Sequence, residues 1–186
     1  MKKRTEPSLP YKLDKIKEPE VIFHEVQYFR QRGFWLLLIP SSLVPLIIFL
    51  MVWLFNPQAE QVLLFGIVML LVAVIPPVFF LGANLTVEVR HDGLYIRFFP
   101  FHASFFKISS GEVKNWQIRS YSALKEYGGY GIRFGADGKA YNVRGNQGVQ
   151  IELKNGKKIL IGSQKPDLLQ QALERLIQTV EHKTTH

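Results

Sequence analysis

The hydrophobic pattern divides the chain into three regimes. From Phe34 to Leu81 it is almost uniformly apolar: Phe34–Phe55 and Val62–Leu81 contain no charged side chain, and only Asn56-Pro57-Gln58-Ala59-Glu60-Gln61 separates them. At about 1.5 Å per helical residue, each segment covers the roughly 30 Å hydrocarbon core of a bilayer, so the pattern predicts a transmembrane helical hairpin over 34–81. Pro40 and Pro45 in the first segment and Pro76 and Pro77 in the second each remove a helix donor, and Ser41 and Ser42 are placed to cap freed carbonyls.

After Leu81 the period shortens to two. Leu85, Val87 and Val89 alternate with polar residues, as do Leu94, Ile96 and Phe98, then Trp116–Tyr121, Tyr130–Phe134, Ala140–Arg144, and Val149, Ile151 and Leu153. Further strands are expected over His102–Ile108 and Lys158–Ile161. Asp92-Gly93 and Asn155-Gly156 are tight-turn signals. Seven or eight short antiparallel strands predict a sandwich or partly closed barrel. A helix follows from Pro166, with Leu168, Leu169, Ala172, Leu173, Leu176, Ile177 and Val180 on one stripe, suited to plugging the open end of the barrel. The fold class expected is therefore α+β: a transmembrane hairpin, then an antiparallel barrel or sandwich with a capping helix over 84–186.

Before the hairpin, residues 1–19 are rich in Lys, Glu and Pro and read as a flexible basic tail. Over 20–33, Val21, Ile22, Phe23, Val26 and Phe29, with Phe34 following, interleave with His24, Glu25, Gln27, Arg30 and Arg32 at near-helical spacing, which predicts a juxtamembrane amphipathic helix. The bland alternative is a cytoplasmic extension of the first membrane helix packed on the soluble domain.

Charge adds an orientation. Residues 1–33 carry a net +3, the hairpin turn carries only Glu60, and residues 82–186 carry a net +6. Arg30 and Arg32 abut the first helix, so the positive-inside rule places both termini in the cytoplasm, with the hairpin in the plasma membrane. The absence of charge inside the hairpin argues for an anchor rather than a conduit. The membrane also accounts for the basic excess, which is modest and dispersed, so no nucleic acid partner is expected.

Candidate chemistry is sparse. No cysteine is present, which excludes thiolate nucleophiles and cysteine metal sites. His24, His91, His102, His182 and His186 lack ligand spacing. Gly128-Gly129-Tyr130-Gly131 fails the dinucleotide pattern because Phe134 stands where the third glycine belongs, and Ala140 after Gly138-Lys139 spoils a P-loop. Neither a cofactor, a metal nor catalysis is expected. What stands out is a group dense in Gly, Tyr and Arg. Tyr127, Tyr130, Arg133, Arg144 and Asn146 form a candidate interaction patch for a lipid headgroup or a membrane-protein partner, or else a structural corner.

Strands closing on a final amphipathic helix resemble the pleckstrin-homology pattern. The chain resembles the bacterial PH-like membrane proteins, and within them an uncharacterised family with a two-helix hairpin. The residues carrying this are His24–Gln31, Tyr127–Arg133, Ala140–Val149 and Leu160–Pro166. The resemblance implies a PH-like domain acting as a non-catalytic interaction or scaffold module at the cytoplasmic face. An accessory subunit of a larger membrane complex and a lipid-modifying enzyme are the alternatives. Lipid-binding PH domains hold phosphate with Lys and Arg around the first hairpin; here Arg90 and Arg97 flank that turn without a lysine cluster.

Overall fold

The computed structural model describes residues 21–56 and 61–184. The expected tail over 1–19, most of the Asn56–Gln61 reversal and the Val180 side chain lie outside the described residues.

Two helices dominate one end. α1 (Arg32–Phe55) and α2 (Val62–Gly82) are 24 and 21 residues long, apolar throughout, and long enough to cross a membrane. Both run unbroken through their prolines. Ser41 and Ser42 donate to the Leu38 carbonyl at 2.9 and 2.8 Å, rather than to the carbonyls orphaned by Pro40 and Pro45. Gly66 lies under the Phe49 ring, with no room there for a side chain, so the two helices meet closely without any G-x-x-x-G motif.

The segment expected to be an amphipathic helix is a strand. β1 (Val21–Tyr28) pairs antiparallel with β2 (Asn84–Arg90), from Val21 opposite Arg90 to Tyr28 opposite Asn84. The helical reading failed because two of the inward positions are polar. Phe23, Glu25, Gln27 and Phe29 point inward with period two, and Glu25 and Gln27 disguise the alternation. Pairing with β2 supplies a ladder that outweighs a weak helical spacing. The apolar hairpin is therefore an insertion between two adjacent strands: the chain leaves the sheet through β1 and re-enters it through β2.

The rest follows the expected alternation. β2, β3 (Gly93–Phe99) and β4 (Phe106–Ser109) complete a four-stranded sheet in the order β1-β2-β3-β4. The expected strand at His102 starts only at Phe106. β5 (Val113–Ser120), β6 (Gly131–Gly135), β7 (Gly138–Asn142), β8 (Gln147–Leu153) and β9 (Lys158–Gly162) form a second sheet, β5-β8-β9-β7-β6, with β7 and β9 parallel. The inner faces of both sheets share one core, in which Leu85, Val87, Ile96, Phe98, Val149, Ile151 and Ile161 are fully buried.

The sheets do not close into a barrel; two seams remain between them. α4 (Pro166–Thr184) fills the seam bounded by β1 and β2 on one side and β5 and β8 on the other. Leu169, Ala172, Leu173 and Leu176 of its stripe are buried, whereas Leu168 is exposed. Glu25 and Gln27 tie the same side together. Glu25 accepts from Ser163 Oγ at 2.6 Å and Gln164 N at 2.8 Å, and Gln27 donates to the Gly162 carbonyl at 2.7 Å. The opposite seam, between β3–β4 and β6–β7, carries no such plug and holds three cavities.

Candidate functional site

The site begins with a strap. Between β5 and β6 the chain crosses the outer face of the second sheet through a short helix, α3 (Ala123–Tyr127), which sequence periodicity missed because it makes barely one turn. Ser122 caps its start, and Gly128 ends it in the left-handed region at φ 69°. Tyr121, Ala123 and Tyr127 pack on Ala140 and Leu160 as a second small cluster. The glycine density has its physical reason here. A side chain at Gly135 would collide with the Glu126 carbonyl and the Tyr127 ring, and one at Gly162 with the Tyr121 hydroxyl. Burial pushes both phenols above their ordinary range.

The strap delivers Tyr130 and Arg133 to the open seam, where the expected patch divides. Tyr127 is core. Tyr130, half-buried, packs against both clusters, and its carbonyl accepts Arg133 Nε at 3.0 Å. Arg144 is half-buried in the β7–β8 connection and accepts Gln164 Nε2 at its carbonyl, 3.1 Å away. Asn146 is exposed; its carbonyl accepts the Tyr121 amide at 2.8 Å. Only Tyr130 and Arg133 of the five line a cavity where the helix pair joins the sheets.

That cavity, of about 420 Å³, has walls the sequence patch did not include: Phe29, Phe34, Phe80, Phe98 and Phe101. Their rings interlock, with centroids 4.8 Å apart for Phe34–Phe80, 5.4 Å for Phe29–Phe80 and 6.2 Å for Phe29–Phe98. The available signal was the placement of Phe34 and Phe80 at the outer ends of the apolar segments, with Phe29 shortly before the first. Two polar anchors fix this junction. Trp35 Nε1 donates to the Phe29 carbonyl at 2.6 Å, and Gln31 Nε2 to the Val143 carbonyl at 2.6 Å.

Several acidic side chains are held in ion pairs. Glu88 is held by Arg90 at 2.6 Å, Asp92 by Lys107 at 2.6 Å and Glu152 by Lys114 at 2.6 Å, while Arg119 spans Glu126 and Asp137. The Lys107 ammonium bonded to Asp92 holds that carboxyl below its ordinary range. Arg30, Arg32, Arg133 and Arg144, all on segments that meet the helix bases, pair with no carboxylate among the described residues, and the same holds for Arg97, Lys139, Lys157 and Lys158 farther off.

One carboxylate–histidine pair does exist, His24 Nδ1 to Glu88 Oε1 at 3.1 Å. It lies on the outer face of the first sheet, with His24 half-exposed and Glu88 already bonded to Arg90 through two nitrogens. That geometry builds an ion-pair network rather than an acid–base couple in a cleft. No group of three potential metal ligands occurs among the described residues.

Residues 15–180 match a family model described as a family of unknown function, DUF6141, and the chain belongs to that family. No curated protein and no solved structure matches it.

Proposed function

We propose that the chain is a membrane-anchored, non-catalytic interaction module: a PH-like domain held against the cytoplasmic face of the plasma membrane by its helical hairpin. The observation that carries the reading is a set of arginines at the helix bases that pair with no carboxylate among the described residues. Arg30 and Arg32 flank the start of α1, Arg133 lines the cavity at the helix bases, and Arg144 follows Val143, whose carbonyl accepts Gln31. Unpaired cations at the base of apolar helices suit an anionic leaflet, where each contributes about 1 kcal/mol of attraction. By the positive-inside rule, Arg30 and Arg32 beside the first helix support both termini on the cytoplasmic side.

The PH-like assignment is supported by nine strands in two sheets followed by a helix along one seam. The domain then serves as a platform whose distance from the bilayer is fixed, because β1 and β2 run directly into α1 and α2.

Thiol labelling tests the reading, since the natural chain has no cysteine. In intact cells an impermeant reagent labels Gln58→Cys, whereas Lys154→Cys reacts only after permeabilisation. The reverse pattern overturns the orientation, and equal labelling of both without permeabilisation overturns the anchor.

A further inference from the structure

We infer that the phenylalanine-walled cavity is a binding site for one anionic phospholipid, its phosphate on Arg133 and the upper part of an acyl chain between the rings. The inference rests on the membrane reading above and adds a site to it.

Chemistry selects the ligand. The cavity offers aromatic carbon on most sides and a single cation, Arg133; no carboxylate lines it. Arg133 Nε is used by the Tyr130 carbonyl, at 3.0 Å. Its two terminal nitrogens have no protein acceptor among the described residues. A guanidinium with both terminal nitrogens available grips a phosphate in bidentate fashion. A peptide could add along the outer edge of β6, although the Gly131 amide there is already bonded to Asn142 Oδ1 at 2.9 Å, but such pairing makes no use of a phenylalanine-walled pocket at the helix bases. Free phosphate would gain nothing from five phenylalanine rings. An amphiphile satisfies both halves.

Position agrees. Phe34 and Phe80 belong to the first turn of α1 and the last turn of α2, and Ala83 directly follows α2. The cavity therefore opens where apolar helix gives way to polar domain, which in a bilayer is the depth of the lipid phosphates. Arg30, Arg32 and Arg144 raise the local concentration of anionic headgroups around it without entering it.

Brominated lipids test the site on the full chain in phosphatidylcholine nanodiscs. Trp35 is the reporter, its ring centroid 5.9 Å from that of Phe34, in a Trp53→Phe, Trp116→Phe background. Phosphatidylglycerol brominated along its acyl chain should quench Trp35 to saturation at one lipid per chain, with an apparent affinity about fivefold above that of brominated phosphatidylcholine. Arg133→Gln should abolish the preference and Arg133→Lys keep part of it. Equal quenching by the two lipids, or a preference unchanged in Arg133→Gln, overturns the site. A second chain retaining only Trp53, within α1, separates the two readings. If both lipids quench Trp53 while Trp35 shows no preference, the site fails and the anchor stands. If neither lipid quenches Trp53, the anchor fails and the site with it.

Discussion

The two seams of the sandwich are built on opposite principles. On one side α4 buries Leu169, Leu173 and Leu176 completely, and Glu25 and Gln27 bridge the sheets through bonds to Ser163, Gln164 and Gly162. On the other side β4 pairs only with β3 and β6 only with β7, and the gap holds cavities of about 420, 400 and 760 Å³. Exposed Phe101, Phe106 and Phe134 and the cations Arg133, Lys139, Lys157 and Lys158 line them. The closed seam uses its apolar residues for stability. The open one leaves apolar groups exposed beside cations that pair with no carboxylate among the described residues, the composition expected of a recognition surface. Stability and the proposed recognition thus fall on different edges of the same two sheets, and each can be perturbed separately.

The largest effect is expected in the closed seam. Leu173→Asp places a charge at a fully buried position and should destabilise the domain by about 3–5 kcal/mol. Gln171→Asp, on the exposed face of the same helix, should stay within about 0.5 kcal/mol of the parent. Thermal unfolding and protease resistance in detergent micelles would show the difference; equal losses would mean that α4 does not seal the seam. Next in size is Glu25→Ala. It strands the Ser163 hydroxyl and the Gln164 amide in a largely buried corner and should cost about 2–3 kcal/mol. A near-neutral outcome would assign the closure to α4 alone.

The open seam should respond in the reverse way. Arg133→Ala combined with Arg144→Ala removes two cations that pair with no carboxylate among the described residues, so thermal stability should change by less than about 1 kcal/mol. Flotation with anionic vesicles should fall, and what binding remains should weaken with salt, because exposed charges are screened over roughly 8–10 Å at physiological ionic strength. Unfolding of the double variant would make the arginines structural and erase the contrast between the seams.

How legible this was depended on whether the decisive contact was local. The two apolar helices, eight of the nine strands and the terminal helix could be read from period and turn chemistry, because one strand or helix face suffices to reveal each. β1 could not: with Glu25 and Gln27 at inward positions, its alternation appears only when Gly162 and Ser163, far along the chain, are seen to receive them. The same holds for the site. Tyr130 and Arg133 were picked out by residue type, but Phe29, Phe34, Phe80, Phe98 and Phe101 become one wall only because β1 and β2 pair across the inserted hairpin. Tyr127 has the residue type of a binding group, yet it packs beneath a strap whose glycines create the room.

The smallest effect concerns His102, which lies at the open seam and has no counterpart in the closed one. Its ring is half-buried 6.0 Å from Tyr141, and its Nδ1 is buried without a partner. Partial burial, with Lys139 nearby, lowers its pKa below the ordinary 6.5. A base whose folded pKa is depressed binds fewer protons folded than unfolded, so its contribution is complete above pH 6.5 and is lost as the pH falls below that value. Asp92 and Glu152 are depressed from 3.8 and 4.5, so their losses begin at more acidic pH and leave the histidine's window separate. The melting temperature should therefore decline modestly on acidification from pH 7 towards 5.5, and His102→Gln should flatten that segment of the profile while leaving the steeper acid limb intact. An unchanged slope in the variant would mean that solvent already reaches the ring, and that the open seam is wetter than its aromatic lining implies.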